Sequence, residues 1–449
     1  MFIDSICIVG GGSAGWMTAA TFSKIFPEKK ITLIDSADLP PIGVGESTTQ
    51  FIRDWMKFID LKDEDWMNDC DATYKYSVRF ENFNKPSVPF HYPFIADING
   101  FNLEEKNASQ WFIHQAITGE SVDGFAEWFC PQMKAIHENR IITKNFDRFD
   151  HDSDTAYIRD DNNVKYYADL FVDCTGFRSL LINGFMNTGW DKFDNMLPND
   201  SAWAVRLPYT NKREEMKTYT NCTALKTGWV WRVCLQNRMG TGYNYSTKFI
   251  SDEDALAEFK EHLGDVEPLC EFRNIKFKTG LSQKPWNKNV LAMGLSGGFI
   301  EPLESNGLLS IHDWLMKACQ IIGQGHVTAI DIASYNKDVR ARFTAFAEFV
   351  FMHYGMSARN DTPYWKYLTE EFEAFSMEKF DLEQWTINGY NGIIYIMAGH
   401  NWNPFNPVTV KVLESQNRLR TDAYIELSDY RQYDELIESF PYAVDYYES

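Results

Sequence analysis

A glycine-rich turn near the start of the chain constrains the possible fold more than any other feature. It spans Gly10–Gly15, follows the short apolar stretch Ser5–Val9 and precedes Trp16–Phe26, whose apolar residues have helical spacing. A second apolar stretch, Lys30–Ile34, comes next. A strand, a helix and a second strand in this order predict a βαβ unit, and therefore an α/β fold with a parallel sheet.

The same turn fits the dinucleotide-binding pattern G-x-G-x-x-G. In that pattern Gly10 allows a tight turn, Gly12 lets the backbone approach a pyrophosphate, and Gly15 lets the helix pack on the strand. The helix N-terminus attracts phosphate, and Asp35 at the end of the second strand can accept a ribose hydroxyl. The cofactor-binding residues predicted from this segment are Gly10, Gly12, Ser13, Ala14, Gly15 and Asp35.

Composition excludes several classes of partner. The chain has 43 Lys+Arg against 63 Asp+Glu, a net charge of −20, which argues against binding nucleic acid or an anionic membrane. The eight cysteines form no C-x-x-C pair, so we predict no metal site. No apolar run approaches the roughly 20 residues of a membrane span, and no signal peptide is recognisable, so we expect a cytoplasmic protein.

Two segments also match the serine-hydrolase pattern G-x-S-x-G, at Ser13 and at Ser296. Ser13 is a poor nucleophile candidate because nothing upstream can supply an oxyanion-hole loop. Ser296 follows the apolar stretch Val290–Met293, and several histidines lie downstream, so a serine hydrolase at Ser296 stays an alternative. A glycine turn near a cofactor, starting at Gly294, is the favoured interpretation.

Three further features are ambiguous when taken alone. Glu304 precedes the predicted helix Leu308–Ile322, where it can cap the helix or mark a site for a small anion such as halide. Trp229 and Trp231 share one face of a predicted strand, as a core aromatic pair would. Lys75 lies in an alternating segment, where a lysine is usually solvated.

Together these segments resemble the flavin-dependent tryptophan-halogenase family. The resembling segments follow the family order from residue 5 to about residue 370. They are Gly10–Gly15 with Trp16 and Met17, Gly43–Thr48, Ala72–Lys75, Asp169–Gly176 with Phe177 and Arg178, Asn199–Ser201, Gly240–Tyr243, Glu301–Gly307 and Asp361–Trp365.

The resemblance implies an α/β fold in which a GR2-type, flavin monooxygenase-like Rossmann sheet domain binds FAD and an interleaved, mostly helical part binds substrate. We expect one compact unit. The FAD-binding part is predicted at about 1–70, 135–200 and 280–325, and the substrate part at about 71–134, 201–279 and 326–449. The resemblance adds Gly45, Glu46, Ser47 and Gly294 to the cofactor-binding residues.

The resemblance also implies a reaction. In the family, reduced flavin and O2 convert halide to hypohalous acid, which passes through a tunnel to an aromatic substrate. By motif match Lys75 holds and activates the hypohalous acid, and Glu304, with Ser305 beside it, assists the substitution. The halide site maps to Asn306 and Gly307.

Three departures from the family pattern bear on specificity. In the family motif W-x-W-x-I-P, which keeps substrate away from the flavin, Val233 and Cys234 replace Ile and Pro after Trp229 and Trp231. Asn306 replaces the halide-site threonine, from which we hypothesise a preference for bromide or iodide. Finally, Gln384–His400 does not resemble the family's tryptophan clamp, so the expected substrate is an electron-rich indole, phenol or related arene rather than free tryptophan.

The remaining predictions concern the pocket and the partners. His91 and Phe94 are candidates for the substrate-pocket wall. Because no second dinucleotide motif is present, we expect a separate flavin reductase to supply FADH2. A homo-oligomer is possible, and the aromatic tail after Leu427 can serve as an interface or a pocket cover. Besides the serine hydrolase, a flavin-dependent aromatic hydroxylase and a flavin-binding protein without catalysis remain open.

Overall fold

The computed structural model describes residues 1–36, 46–49, 52–75, 77–84, 89–93, 97–98, 101–102, 146–152, 155–160, 164–379, 393, 396–397, 399–400 and 443–448. The chain divides into two units. The first comprises Met1–Ala72, Ile136–Ser201 and Ile275–Glu348, and the second comprises Thr73–Ala135, Ala202–Asn274 and Phe349–Ser449.

The described strands are numbered in chain order: β1 (Ser5–Val9), β2 (Lys30–Ile34), β3 (Ser77–Glu81), β4 (Phe90–Pro93), β5 (Asp97–Ile98), β6 (Phe101–Asn102), β7 (Phe146–Asp152), β8 (Thr155–Asp160), β9 (Lys165–Tyr167), β10 (Leu170–Asp173), β11 (Trp190–Lys192), β12 (Ser201–Leu207), β13 (Tyr219–Ala224), β14 (Gly228–Cys234), β15 (Met239–Tyr245), β16 (Arg273–Lys276), β17 (Gly280–Ser282), β18 (Trp286–Asn287), β19 (Val290–Ala292) and β20 (Gly298–Phe299). The described helices are α1 (Ser13–Ile25), α2 (Ile52–Phe58), α3 (Lys212–Glu215), α4 (Asp252–Leu263), α5 (Asn306–Ile322), α6 (Ala329–Gly355), α7 (Pro363–Lys379) and α8 (Ala443–Glu448).

The first unit is built on a five-stranded sheet in the order β18-β19-β10-β1-β2. β1 pairs in parallel with β2 and with β10, and β10 pairs in parallel with β19. These strands are almost continuously apolar, as strands covered on both faces must be. Their side chains, with Leu181 and Ile182 from the turn after β10, form one buried cluster. The predicted parallel α/β sheet is confirmed.

Smaller sheets complete this unit. One has the order β11-β17-β20 and the other β7-β8-β9. The polar residues 160–163, between the apolar-alternating stretches Thr155–Arg159 and Val164–Tyr167, predict a hairpin from the sequence. β8 and β9 pair antiparallel, with Tyr157 opposite Tyr167, which confirms this prediction.

The second unit is built around a seven-stranded sheet, β16-β12-β15-β14-β13-β3-β4. β13 and β3 pair in parallel, whereas β13–β14, β14–β15 and β3–β4 are antiparallel. One face carries a core that includes Val205, Val230, Tyr243 and Phe259. The described part of this unit combines this sheet with the helices α3, α4, α7 and α8.

The helices lie close to their predicted positions. α5 begins at Asn306 and ends at Ile322, two residues longer than predicted. The sequence also predicts a helix over Ile330–His353, and α6 covers it. The chain passes from the first unit to the second within α6. None of the helices in the described ranges is long and apolar enough to cross a membrane.

Candidate active site

The glycine turn of the first unit folds tightly against β10. Gly10 has φ = +106°, its N–H donates to the Ile34 carbonyl at 2.8 Å, and a Cβ on it would lie 2.3 Å from the Cys174 carbonyl oxygen. A Cβ on Gly15 would lie 1.8 Å from the Gly10 carbonyl oxygen. Both positions therefore exclude any side chain, as the dinucleotide pattern requires.

Gly12 differs from Gly10, Gly11 and Gly15 because no described residue lies within 4 Å of a Cβ built on it. It precedes α1 and caps it without a side-chain hydrogen bond. The N-cap position of α1 therefore leaves room for a ligand, which suits the N–H groups and positive dipole end of a helix that binds a phosphate. Ser13 and Ala14 are the first two residues of α1.

Asp35 has a role within the protein that the motif alone does not show. Its Oδ1 accepts the Gly11 N–H at 2.8 Å, so the carboxylate at the end of β2 fixes the glycine turn after β1. A carboxylate has about four acceptor positions, so this bond leaves Asp35 able to accept a ribose hydroxyl as well.

A second glycine turn meets the start of α1. Gly294 follows β19 with φ = +70°, and a Cβ on it would lie 2.8 Å from Cβ of Ala14. The Met293 N–H donates to the Asp173 carbonyl at 2.9 Å, so the carboxyl ends of β19 and β10 are joined directly. The structure therefore brings Gly294 to the glycine turn at the edge where open α/β sheets bind their ligands.

Asp173, at the end of β10, was quoted in our motif but was given no role. Its buried carboxylate accepts hydrogen bonds from the Thr175 hydroxyl at 2.6 Å and from the Leu181 and Ile182 N–H groups at 2.8 Å. These bonds hold the turn after β10 in place. The sequence signal was an acidic residue that ends an otherwise apolar strand.

Ser296 is not placed as a nucleophile. Its side chain is buried, and Oγ donates to the carbonyl oxygens of Asp173 and Met293, the latter at 3.0 Å. Its own carbonyl accepts the Ser179 hydroxyl at 2.7 Å. The residue ties two turns together, which disfavours the serine-hydrolase alternative.

The predicted halide segment forms the entry to α5. Glu304 is buried at the end of a short 3₁₀ turn, Pro302–Glu304, and Ser305 takes the left-handed conformation at φ = +59°. Asn306 is buried, its Nδ2 lies 3.4 Å from the Ile300 carbonyl, and its Oδ1 has no hydrogen-bond partner among the described residues. Within the part of the chain that the structure describes, nothing lies within 4 Å of a Cβ built on Gly307. The segment thus combines a helix N-terminus, a buried amide and space that no described residue fills.

Lys75 belongs to the second unit, where it lies two residues before β3. Only 3 % of Lys75 is exposed, so its side chain is not solvated as lysines in such segments usually are. Two residues before Lys75, the hydroxyl of Thr73 donates a hydrogen bond to the Cys234 carbonyl. A lysine is almost never buried to this extent without a specific role or partner.

The two tryptophans lie on β14 of the same unit. Trp229 is fully buried, Trp231 is half-buried, and their ring centroids are 6.1 Å apart. Gly242 on β15 faces Trp231, and a Cβ on it would lie 2.2 Å from the indole. Gly242 is therefore a supporting residue that was visible in the sequence only as part of the block Gly240–Tyr243.

His91 lies on β4, and its environment is fully internal. Its Nδ1 is 3.0 Å from the Ser77 hydroxyl, and its ring meets Tyr219 edge to face at 5.2 Å between centroids. Burial, aided by the nearby Arg79, lowers the pKa of His91 to about 3, so the ring is neutral at physiological pH.

Four predicted cofactor and pocket residues remain, and two of them lie within the described part of the chain. Glu46 and Ser47 lie half-buried in the short segment before α2. Gly45 and Phe94 fall outside the described residues, as does most of Gln384–His400.

With this geometry established, comparison with known proteins decides the family. The tryptophan halogenase family model matches residues 5–167 and 148–386, which is most of the chain. The chain belongs to the tryptophan halogenase family. It is thus an enzyme, a flavin-dependent halogenase and an oxidoreductase.

Individual relatives agree. The chain is 31 % identical over 419 residues to the tryptophan 6-halogenase SttH of Streptomyces toxytricini. This alignment covers 81 % of this chain and 80 % of SttH. The apo structure of VirX1 is 32 % identical, with a TM-score of 0.83, and covers 99 % of this chain and 98 % of VirX1. BrvH, a flavin-dependent halogenase from Brevundimonas sp. BAL3, is 25 % identical with a TM-score of 0.83, covering 100 % and 99 %.

Within the halogenase family pattern, Cys234 stands where a proline is expected, and the structure shows what the cysteine does. It is the last residue of β14, opposite Met239. Its buried thiol donates to the Glu215 carbonyl at 3.3 Å and accepts the Lys217 N–H at 3.5 Å. Burial raises the pKa of this thiol, so it is not a nucleophile at neutral pH.

Proposed function

We propose that this halogenase receives FADH2 from a separate flavin reductase, forms hypohalous acid from bromide or iodide, and halogenates an electron-rich arene other than free tryptophan. The observation that carries the proposal is the burial of Lys75 in a segment that matches the family's lysine motif. A buried ammonium is costly, and proteins keep one where its charge is used.

The glycine turn and its surroundings fit FAD. The open space at Gly12, the first turn of α1 and Gly294 would receive the pyrophosphate, and the remaining lone pairs of Asp35 would receive the ribose. Reduced FAD bound there supplies, with O2, the oxidising power that converts halide to hypohalous acid. Gly10 and Gly15 contribute by keeping the turn tight against Cys174.

Lys75 would act on the hypohalous acid. An ammonium that donates a hydrogen bond to the oxygen of the acid withdraws electron density and makes the halogen more electrophilic. Glu304 would act on the substrate. A buried carboxylate beside the ring stabilises the cation that forms when the halogen adds, and it then accepts the ring proton.

The proposed halide preference rests on the entry to α5. Asn306 differs from a threonine in shape and offers an amide N–H donor in place of a hydroxyl, and no described residue lies within 4 Å of a Cβ built on Gly307, which leaves room for a large anion. Larger halides are less strongly hydrated, so moving them into a buried site costs less free energy, and they are easier to oxidise. These properties favour bromide and iodide over chloride.

A product assay tests the proposal. The protein is incubated with FAD, NADH, a flavin reductase, O2, catalase and a panel of indoles, phenols and free tryptophan, and products are identified by mass spectrometry. We expect halogenated indole or phenol that disappears in Lys75→Ala and Lys75→Met but persists in Lys226→Ala, which removes an exposed lysine of the same unit. Halogenation that survives both Lys75 substitutions would contradict the role of Lys75.

The same assay ranks the halides. We expect bromide or iodide to give more product than chloride at equal concentration, and Asn306→Thr to shift the ratio towards chloride by roughly tenfold, the effect of a 1.4 kcal/mol change in relative barrier. Chloride turnover exceeding bromide turnover in the unaltered protein would refute the proposed preference. A hydroxylated product that forms without halide would instead support the aromatic hydroxylase alternative.

A further inference from the structure

Helix α8, Ala443–Glu448, is packed into the core of the second unit. Val444 is only 4 % exposed and belongs to the buried cluster that contains Tyr243, Tyr245 and Phe259. Ala443 and Tyr447 pack against the same cluster. The apolar side of this short helix is therefore held by the core, although the helix is far in sequence from the other residues of the unit.

This docking brings Tyr447 to the residue before Lys75. The Tyr74 N–H donates to the Tyr447 hydroxyl at 2.6 Å, across 373 residues of sequence. The two rings are also stacked, with centroids 6.1 Å apart and planes inclined by 26°. One tyrosine thus holds both the backbone and the side chain of Tyr74.

The residue before Tyr74 is held from another direction. The Thr73 hydroxyl donates to the Cys234 carbonyl at the end of β14. Thr73 and Tyr74 are therefore each fixed by a hydrogen bond to a distant part of the unit, and Lys75 follows them directly. β3 begins two residues after Lys75, so the lysine lies on a short segment that is fixed on both sides.

We infer that Tyr447 is a positioning residue for Lys75: its hydroxyl and ring fix the backbone from which the lysine side chain extends. The consequence for the reaction rests on the proposed function of Lys75. A catalytic group must be held within about 0.5 Å of its productive position, and a segment outside regular secondary structure reaches that precision only through such supporting contacts. Helix α8 therefore has two tasks in this proposal: it packs into the core, and through Tyr447 it fixes the segment that carries Lys75.

The first test measures the segment itself and needs neither flavin nor substrate. Lys75 is modified by reductive methylation, and its rate is followed by peptide mass spectrometry in the unaltered protein and in Tyr447→Phe, which keeps the stacked ring. We expect Lys75 to react roughly five to ten times faster in the variant, because losing a buried hydrogen bond raises the population of the open segment by about that factor. Lys226 serves as an exposed internal reference.

Tyr245→Phe is the matched control. It removes a tyrosine hydroxyl from the same core, one that donates to Asp252 at 2.6 Å and accepts from Asn274 at 2.9 Å. Lys75 methylation should stay at the unaltered rate in this control. In the unaltered protein, amide hydrogen exchange should show Tyr74 protected. An unchanged Lys75 rate in Tyr447→Phe, or an unprotected Tyr74 amide, would overturn the inference.

The second test connects the segment to the reaction. In Tyr447→Phe we expect kcat for halogenation of the arene to fall roughly tenfold, with KM for the arene unchanged. We also expect an added scavenger to trap more hypohalous acid released from the enzyme. If Lys75 is methylated faster while kcat and the release of hypohalous acid are unchanged, Tyr447 has only a structural role. If Lys75→Met is as active as the unaltered protein, the proposed function of Lys75 fails, and the methylation result still decides whether Tyr447 orders the segment.

Discussion

Single residues of the glycine turn have separable tasks. Gly10 and Gly15 exclude a side chain because backbone atoms of the protein already occupy the space where a Cβ would stand. Gly12 has extended backbone angles that any residue can adopt, and no described residue lies within 4 Å of a Cβ built on it. The fold therefore requires glycine at position 10, whereas at position 12 we propose that a bound dinucleotide requires it.

This difference gives a prediction at the residue scale. Gly10→Ala should lower the free energy of unfolding by about 2 kcal/mol or more even without flavin, because the methyl group meets the Cys174 carbonyl in a strained conformation. Gly12→Ala should leave the flavin-free stability within about 0.5 kcal/mol but weaken FAD binding at least tenfold. Urea unfolding without flavin and FAD titration by fluorescence measure the two quantities. Equal FAD affinity in Gly12→Ala and the unaltered protein would contradict the predicted pyrophosphate position.

At the scale of elements, two helices begin in opposite ways. α4 begins in the usual way, since the Ser251 hydroxyl accepts the Asp254 N–H at 3.1 Å. α5 begins after Ser305, a non-glycine residue in the left-handed conformation that makes no side-chain cap. Backbone strain of this kind persists where the surroundings enforce it, and it is frequent at functional sites. The left-handed Ser305 at the start of α5 therefore supports our proposal that this segment serves the reaction.

A pair of substitutions tests this at Ser305. Both Ser305→Gly and Ser305→Ala remove the hydroxyl, but only glycine adopts the left-handed conformation without strain. We expect the glycine variant to be more stable than the alanine variant by about 1 kcal/mol in urea unfolding. We also expect both to lose a similar share of the halogenation rate, because they lack the same hydroxyl. Full activity in the glycine variant would limit the role of Ser305 to its backbone conformation.

At the scale of the whole molecule, buried histidines couple stability to pH. His91 and His400 are both buried in the second unit, and burial lowers the pKa of each to about 3. In the unfolded chain a histidine takes up its proton below about pH 6.5. Between pH 6.5 and pH 3 the unfolded state therefore binds more protons than the folded state, so stability falls as the pH falls.

His91→Asn isolates one of these contributions. Each such histidine adds a slope of up to about 1.4 kcal/mol per pH unit within that window, and its contribution is fully present above pH 6.5. We expect the variant to show a shallower decline of unfolding free energy between pH 6 and 4.5, measured by urea unfolding. Above pH 7.5 the difference between variant and unaltered protein should not depend on pH. Identical slopes below pH 6 would show that His91 is protonated in the folded state.

Much of the framework was predictable from the sequence because it depends on local patterns. The apolar runs Ser5–Val9, Lys30–Ile34 and Leu170–Asp173 predict strands, and β1, β2 and β10 have these bounds. The polar residues between β8 and β9 correctly predicted a hairpin. These signals are strong because a buried parallel strand is apolar throughout and a turn needs particular residues. The size of the sheet in the second unit was not predicted, since pairing β3 with β13 joins strands about 140 residues apart.

For the site, local patterns in the sequence were enough to predict the groups involved: a glycine turn that fits a dinucleotide, a lysine, a glutamate and a helix start that suits an anion. Such predictions are possible because these tasks require particular side chains at fixed local spacings. Which of these groups are buried, and which contacts hold them, follows from the three-dimensional packing alone. The burial of Lys75, the support of its segment by Tyr447 and the packing of Ser296 between two turns depend on contacts between distant segments, and no local pattern records such contacts.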